Sequence, residues 1–257
     1  MSWWGTIIGG ALGFMLGGPL GALLGASMAS NFSVNTNTGQ QQGNFSAGDT
    51  ERVQAAFFSA TFAVMGHIAK ADGVVSQDEI NNAKNIMAQM NLGPQQRKTA
   101  MHLFNEGKKD NFPLHEVVTQ FRKECHRRRN LIQMFLEIQI MMVLADGKID
   151  PAEKNIMFSI GEQLGFHQAQ IEQLLHSASG VQQNASPKVQ LKEAYEMLGI
   201  PESSSDQEVK KAYRRLMSQH HPDKLVSKGL PEEMIKIATE KTQKIRKAYD
   251  FVRESRK

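Results

Sequence analysis

The sequence predicts an all-α protein in three parts: an apolar N-terminal helix, a helical bundle, and a helical hairpin at the C-terminus. Three observations carry this expectation. Apolar residues recur at helical spacing through most of the chain, and no stretch shows the period-two alternation of a half-buried strand. No charged residue precedes Asp49, so the start of the chain has a composition of its own. Polar, low-apolar stretches at 33–48 and 179–188 divide the rest. The expected organisation is a glycine-rich span at 1–32, a linker at 33–48, a bundle at 49–178, a second linker at 179–188 and the hairpin at 189–257.

The first part is apolar from Trp3 to Phe32, long enough for a membrane-crossing helix, which needs about 20 residues. Trp3 and Trp4 stand where an interfacial aromatic anchor would stand. Gly5, Gly9, Gly13, Gly17, Gly21 and Gly25 recur every fourth residue and on a helix would line one face. Such a face lets a second helix approach to backbone contact, so a homodimer through the span is expected. Pro19 is a candidate kink. A cleaved signal peptide fits less well, because the basic n-region is missing, and a soluble glycine-rich helical hairpin is the other alternative. No Lys or Arg flanks the segment, so the positive-inside rule does not orient it.

In the bundle, Phe57, Phe58, Phe62, Met65 and Ile68 fit the buried face of one helix. Leu131, Phe135, Ile138, Met141 and Met142 fit that of another, and six or more helices are expected in all. An internal echo punctuates them. Ala71-Asp72-Gly73-Val74-Val75-Ser76-Gln77-Asp78-Glu79 matches Ala145-Asp146-Gly147-Lys148-Ile149-Asp150-Pro151-Ala152-Glu153. In each copy Asp-Gly turns the chain out of one helix. Ser76 or Asp150 then caps the next, with Glu79 or Glu153 completing a capping box. Pro151 takes the favoured first helical position. A calcium loop is disfavoured: in EF-hand register its first and third ligands would be Ile68 and Lys70, or Met142 and Leu144, which supply no side-chain oxygen. The doubled Asp-Gly signature within a helical region resembles the TerB, or tellurite-resistance-like, domain over roughly residues 50–177. That resemblance implies a helical fold and no secure activity.

Arg122, Lys123, His126, Arg127, Arg128 and Arg129 form a basic run, expected to be a solvated helix face. An acidic protein surface or lipid headgroups are the alternatives for it. His67, His102, His115, His167 and His176 show no metal-ligand spacing. The single cysteine, Cys125, excludes an internal disulfide and fits a reducing compartment as a buried inert thiol. No metal or cofactor is expected.

The net charge of +4 is carried by the last part, where sixteen basic side chains face eleven acidic ones from Pro187 onward. An acidic partner there is implied. Leu191 to Ile200 is a short amphipathic helix closing at Gly199 before Pro201. Ser205 and Glu208 form a capping box for the next helix. That helix turns Val209, Ala212, Tyr213 and Leu216 inward and Lys210, Lys211, Arg214 and Arg215 largely outward. His221-Pro222-Asp223 interrupts it. A final helix from about Pro231 to Arg253 offers Ile237, Ile245, Ala248, Tyr249 and Val252 to the core.

An ordered set of motifs stands out here: Tyr195-Glu196-Met197-Leu198-Gly199, Ala212-Tyr213-Arg214-Arg215-Leu216, His221-Pro222-Asp223-Lys224 and Lys247-Ala248-Tyr249. Together they resemble the J-domain of the DnaJ (Hsp40) family. The resemblance implies that His221, Pro222 and Asp223, with Lys210, Lys211, Arg214 and Arg215, bind an ATP-loaded Hsp70 (DnaK in bacteria). It implies stimulation of the partner's ATPase and no catalytic residue in this chain. The Gly/Phe-rich region and zinc repeats of archetypal members are missing. The order of span, TerB-like bundle and C-terminal J-domain is similar to that of the membrane-anchored co-chaperones of bacteria. Because Hsp70 and ATP are cytoplasmic, the residues after the span are expected in the cytoplasm, with a short periplasmic N-terminus at the inner membrane. An envelope-stress or membrane interaction protein working mainly through the bundle is the alternative. Nucleic-acid binding through the basic helix is disfavoured, because no interleaved aromatics accompany it.

Overall fold

The computed structural model describes residues 17–29, 48–71, 73, 77–144, 149–178 and 187–256, and they hold twelve α-helices and no strand. The helices are α1 (Gly18–Ala29), α2 (Asp49–Ile68), α3 (Gln77–Gln89), α4 (Pro94–Gly107), α5 (Leu114–Glu124), α6 (Arg129–Val143), α7 (Pro151–Gln163), α8 (Gln168–Ala178), α9 (Pro187–Leu198), α10 (Asp206–His220), α11 (Pro222–Val226) and α12 (Ile235–Ser255).

The bundle, α2–α8, forms around α2, which is buried almost throughout. Phe57 meets Phe121 and Phe135 edge-on at 5.9 and 6.2 Å, so α2, α5 and α6 share one aromatic centre. Both expected core sets are buried, with Met141 half-buried at the edge. The tightest crossing is that of α2 with α4. A Cβ on Gly66 would lie 2.0 Å from the Phe104 carbonyl oxygen, and one on Gly107 would lie 1.8 Å from that of Ala63. Two glycines therefore bring backbone onto backbone, which any side chain would prevent.

The second Asp-Gly echo ends as expected. Ala152 N–H donates to Asp150 Oδ1 at 2.7 Å, Asp150 N–H donates to Glu153 Oε2 at 3.3 Å, and Pro151 opens α7. Asp72, Ser76, Asp146 and the side chain of Glu79 lie outside the described residues. The basic run is a helix face only in part: Arg122 and Lys123 are exposed on α5 and Arg129 opens α6, but His126, Arg127 and Arg128 between them are not helical. Cys125 to Arg128 turn the chain from α5 into α6, with Arg127 at φ +62°. Neighbouring cations are drawn into packing: Arg122 donates to the Gln163 carbonyl at 2.7 Å and Arg129 lies over the Phe166 ring at 4.9 Å. Cys125 is fully buried.

α1 lies on the bundle, with Leu20 and Leu24 buried in its core between α4 and α5. Gln120 clasps its start, accepting from Leu20 N–H and donating to the Gly17 carbonyl, each at 2.9 Å. Gly17 and Gly18 have φ of +54° and +60°, so Gly17 stands outside the helix rather than on its glycine face. Gly21 and Gly25 lie within α1, and Gly5, Gly9 and Gly13 lie outside the described residues. Among the described residues no helix is long and apolar enough to cross a membrane.

Candidate functional site

The C-terminal hairpin is built from the ends inward. α9 closes at Gly199 (φ +67°), where Ile200 N–H reaches back to the Tyr195 carbonyl at 3.2 Å. This is the left-handed glycine cap that satisfies the last carbonyls of a helix. Ser205 and Glu208 then start α10 with the expected reciprocal cap: Ser205 N–H donates to Glu208 Oε2 at 2.7 Å and Glu208 N–H to Ser205 Oγ at 3.4 Å. Ser205 N–H, together with the Ser205 hydroxyl that donates to the same oxygen at 2.8 Å, holds the Glu208 carboxyl below its usual range.

α10 packs against α12 through Val209 and Ala212, with Ile245, Ala248 and Val252 opposite and Ala194, Tyr195 and Leu198 from α9 closing the core. Tyr213 stacks on Tyr249 with ring centres 4.2 Å apart. Arg256 ties the chain end down, donating to Tyr195 Oη at 2.7 Å and to the Ser204 carbonyl at 2.6 Å. The opposite side of α10 is left to its cations: Lys210, Lys211, Arg214 and Arg215 are all exposed. Positions 211, 214, 215 and 218 follow one helical stripe, which runs toward the C-terminal end of α10.

At that end the next residue decides the geometry. His221 precedes a proline, which disfavours the helical conformation, and it adopts φ −59° and ψ 124°. Pro222 restarts the chain as the first residue of α11. His221 Nδ1 accepts from Asp223 N–H at 3.2 Å, so the proton of a neutral imidazole sits on Nε2. Lys224 Nζ donates to Ser218 Oγ at 2.7 Å and braces the corner. The side chains of His221 and Asp223 are 47% and 91% exposed, so both point into solvent. Of the sequence-nominated residues, Lys210, Lys211, Arg214, Arg215, His221 and Asp223 are thus exposed, and Pro222 is half-buried.

The family models agree with this arrangement. The DnaJ domain model matches residues 193–257, the tellurite resistance protein TerB model matches 58–176, and the co-chaperone DjlA transmembrane domain model matches 1–32. A co-chaperone protein DjlA of Photobacterium profundum is 44% identical over 98% of this chain and 99% of its own length. The chain belongs to the DjlA family of co-chaperones. The DjlA of Salmonella paratyphi A is 40% identical over 100% of this chain and 99% of its own, and that of Vibrio cholerae is 41% identical over 85% and 84%. No solved structure matches the chain. In this DjlA-family protein, J-domain and TerB-domain meet in three dimensions, and sequence reasoning did not anticipate it. Ile237, expected in the hairpin core, is buried instead in the core of the TerB domain, with Leu225, Leu230, Met234 and Ala238. His220, the last residue of α10, is 1% exposed and faces Glu137 of α6. The sequence signal was thin: one carboxylate at an inward position of an apolar helix, and one histidine beside another.

His67 leans on Phe112 with ring centres 5.4 Å apart, and burial lowers its pKa. Among the described residues no group of His, Cys, Asp and Glu is arranged to hold a metal ion.

Proposed function

We propose that this chain stimulates ATP hydrolysis by a cytoplasmic Hsp70 (DnaK) and holds that partner at the bacterial inner membrane. The supporting observation is the exposed His221-Pro222-Asp223 corner at the end of a capped helix whose outer side is cationic, in a member of a co-chaperone family. The basic stripe of Lys210, Lys211, Arg214 and Arg215 steers encounter with an acidic Hsp70 surface. Asp223 then offers an exposed carboxylate to an arginine or backbone N–H of the partner, the kind of charge-assisted bond that fixes orientation. Pro222 holds the corner rigid, so little ordering is lost on contact. The chain does no ATP chemistry of its own. Its anchor lies within residues 1–32, as a single pass with a short periplasmic N-terminus and the remainder cytoplasmic, and in the membrane α1 leaves the seat that Leu20 and Leu24 take on the bundle. The glycines of the anchor's helical part pair two copies.

The test is a single-turnover Hsp70 ATPase assay with the full chain in detergent. Wild type raises the rate, and His221→Gln, which keeps side-chain size and polarity, abolishes the rise. Stimulation by His221→Gln close to wild type, with the helical content intact, refutes the proposal.

A further inference from the structure

His220 and His221 are neighbours with opposite fates. His221 points out, while His220 is sealed between two domains. Its Nε2 lies 3.6 Å from Glu137 Oε1, and Lys241 Nζ lies 3.4 Å from Glu137 Oε2. Gln133 Nε2 donates to Glu137 Oε1 at 3.0 Å. Glu137 itself is only 7% exposed. A carboxylate in such a place is costly unless a counter-charge accompanies it. Among the described residues, the bundle supplies the amide of Gln133 and no cation. The cation, Lys241, and the imidazole both come from the J-domain.

The apolar partition tells the same story. The J-domain's own core gathers α9, the middle of α10 and the second half of α12. Leu225, Leu230, Met234, Ile237 and Ala238 take no part in it and belong to the bundle's core. The end of the J-domain that carries the tripeptide is therefore stabilised by the other domain. Contact reaches the backbone at Gly229 (φ +99°), where an added Cβ would lie 2.7 Å from Val53 Cγ1 and 3.2 Å from Arg128 Nη1. Gln96, whose side-chain Oε1 accepts from Gly93 N–H at the start of α4, also donates its Nε2 to Glu233 Oε1.

We propose that the TerB domain is a positioning clamp for the Hsp70-binding corner, with Glu137 as its positioning residue acting through His220 and Lys241. This rests on the co-chaperone reading above. One peptide bond separates His220 from His221, so fixing the first sets the direction in which the second and Asp223 face. The clamp covers the inner side of the α10–α12 corner and leaves its outer side open. A freed corner would expose five apolar side chains and would have to be ordered again at each encounter with Hsp70.

The experiment uses the full chain in detergent and two readouts: amide hydrogen exchange across 222–238, and the Hsp70 concentration giving half-maximal ATPase stimulation. Glu137→Lys places a cation against Lys241 and opens the clamp. Exchange across 222–238 then rises about ten-fold or more while that of 206–216 holds. The half-maximal Hsp70 concentration rises roughly five-fold or more at an unchanged maximal rate. The charge swap Glu137→Lys with Lys241→Glu restores both. Unchanged exchange in Glu137→Lys overturns the clamp. Raised exchange with an unchanged half-maximal concentration overturns the positioning role, and so does a double variant that folds but recovers neither readout. A wild-type chain that fails to stimulate Hsp70 overturns the co-chaperone reading and the positioning role with it, while the exchange pattern still decides whether the clamp exists.

Discussion

Replacing Gly66 or Gly107 by alanine measures how much of the bundle depends on the α2–α4 crossing. An alanine carbon at 66 would stand 2.0 Å from the Phe104 carbonyl oxygen, and at 107 it would stand 1.8 Å from that of Ala63. Carbon and carbonyl oxygen settle at roughly 3.3 Å, so the helices must part by about 1.3 Å at 66 and slightly more at 107. Neither neighbour can swing aside, because each is backbone within a helix. A gap of that size forfeits much of the dispersion contact between buried neighbours such as Phe62, Met65, Leu103 and Phe104. Overpacking of this kind costs about 3 kcal/mol. Alanine returns about 1 kcal/mol in helix propensity, which leaves a net loss of about 2 kcal/mol for each single variant. The two losses do not add. Once one alanine has parted the helices, the second finds room, so the double variant costs well under the sum. Urea unfolding of the full chain in detergent, followed by far-ultraviolet circular dichroism, measures all three. A single cost under about 0.5 kcal/mol, or full additivity in the double variant, refutes the reasoning.

Four further outcomes are expected. Burial, with Lys241 nearby, lowers the His220 pKa against the opposing pull of Glu137. The unfolded chain therefore binds a proton near pH 6.5 that the folded chain resists, and stability is full above that value and falls as pH drops below it. In urea titrations His220→Gln flattens this slope. Glu137 is pushed up by burial but pulled further down by Lys241, His220 and Gln133. Its contribution is present above about pH 4.5 and is lost in a second, more acidic window as pH falls through its folded value. Cys125, buried and with its thiol pushed well up by desolvation, stays unmodified by a thiol reagent in the folded protein and reacts on unfolding. Asp150→Ala removes the α7 cap and costs about 1 kcal/mol in the same urea assay, with Asp150→Asn recovering most of it.

The sequence made legible what depends on near neighbours. The Asp150–Glu153 and Ser205–Glu208 boxes close over three residues, the glycine at 199 ends its helix locally, and the buried faces of α2, α6 and α10 follow helical spacing. The tripeptide was visible as a helix break, and its exposure followed from proline's effect on the residue before it. Long-range geometry was not legible. Gly66 and Gly107 carry no local mark of the crossing they make. Ile237 reads as one more inward residue of α12, and only the docking of two domains decides whose core it enters. The basic run at 122–129 reads as helical by composition, yet the left-handed Arg127 turns it into a corner.

The stacked pair of Tyr213 and Tyr249 has a practical corollary. All three tyrosines, Tyr195 included, lie in the J-domain, and both tryptophans lie at positions 3 and 4. The chain is therefore its own two-colour reporter. Tryptophan emission, excited at the red edge where tyrosine does not absorb, follows the surroundings of the N-terminus alone, tyrosine signals arise only in the C-terminal hairpin, and the bundle between them carries neither ring.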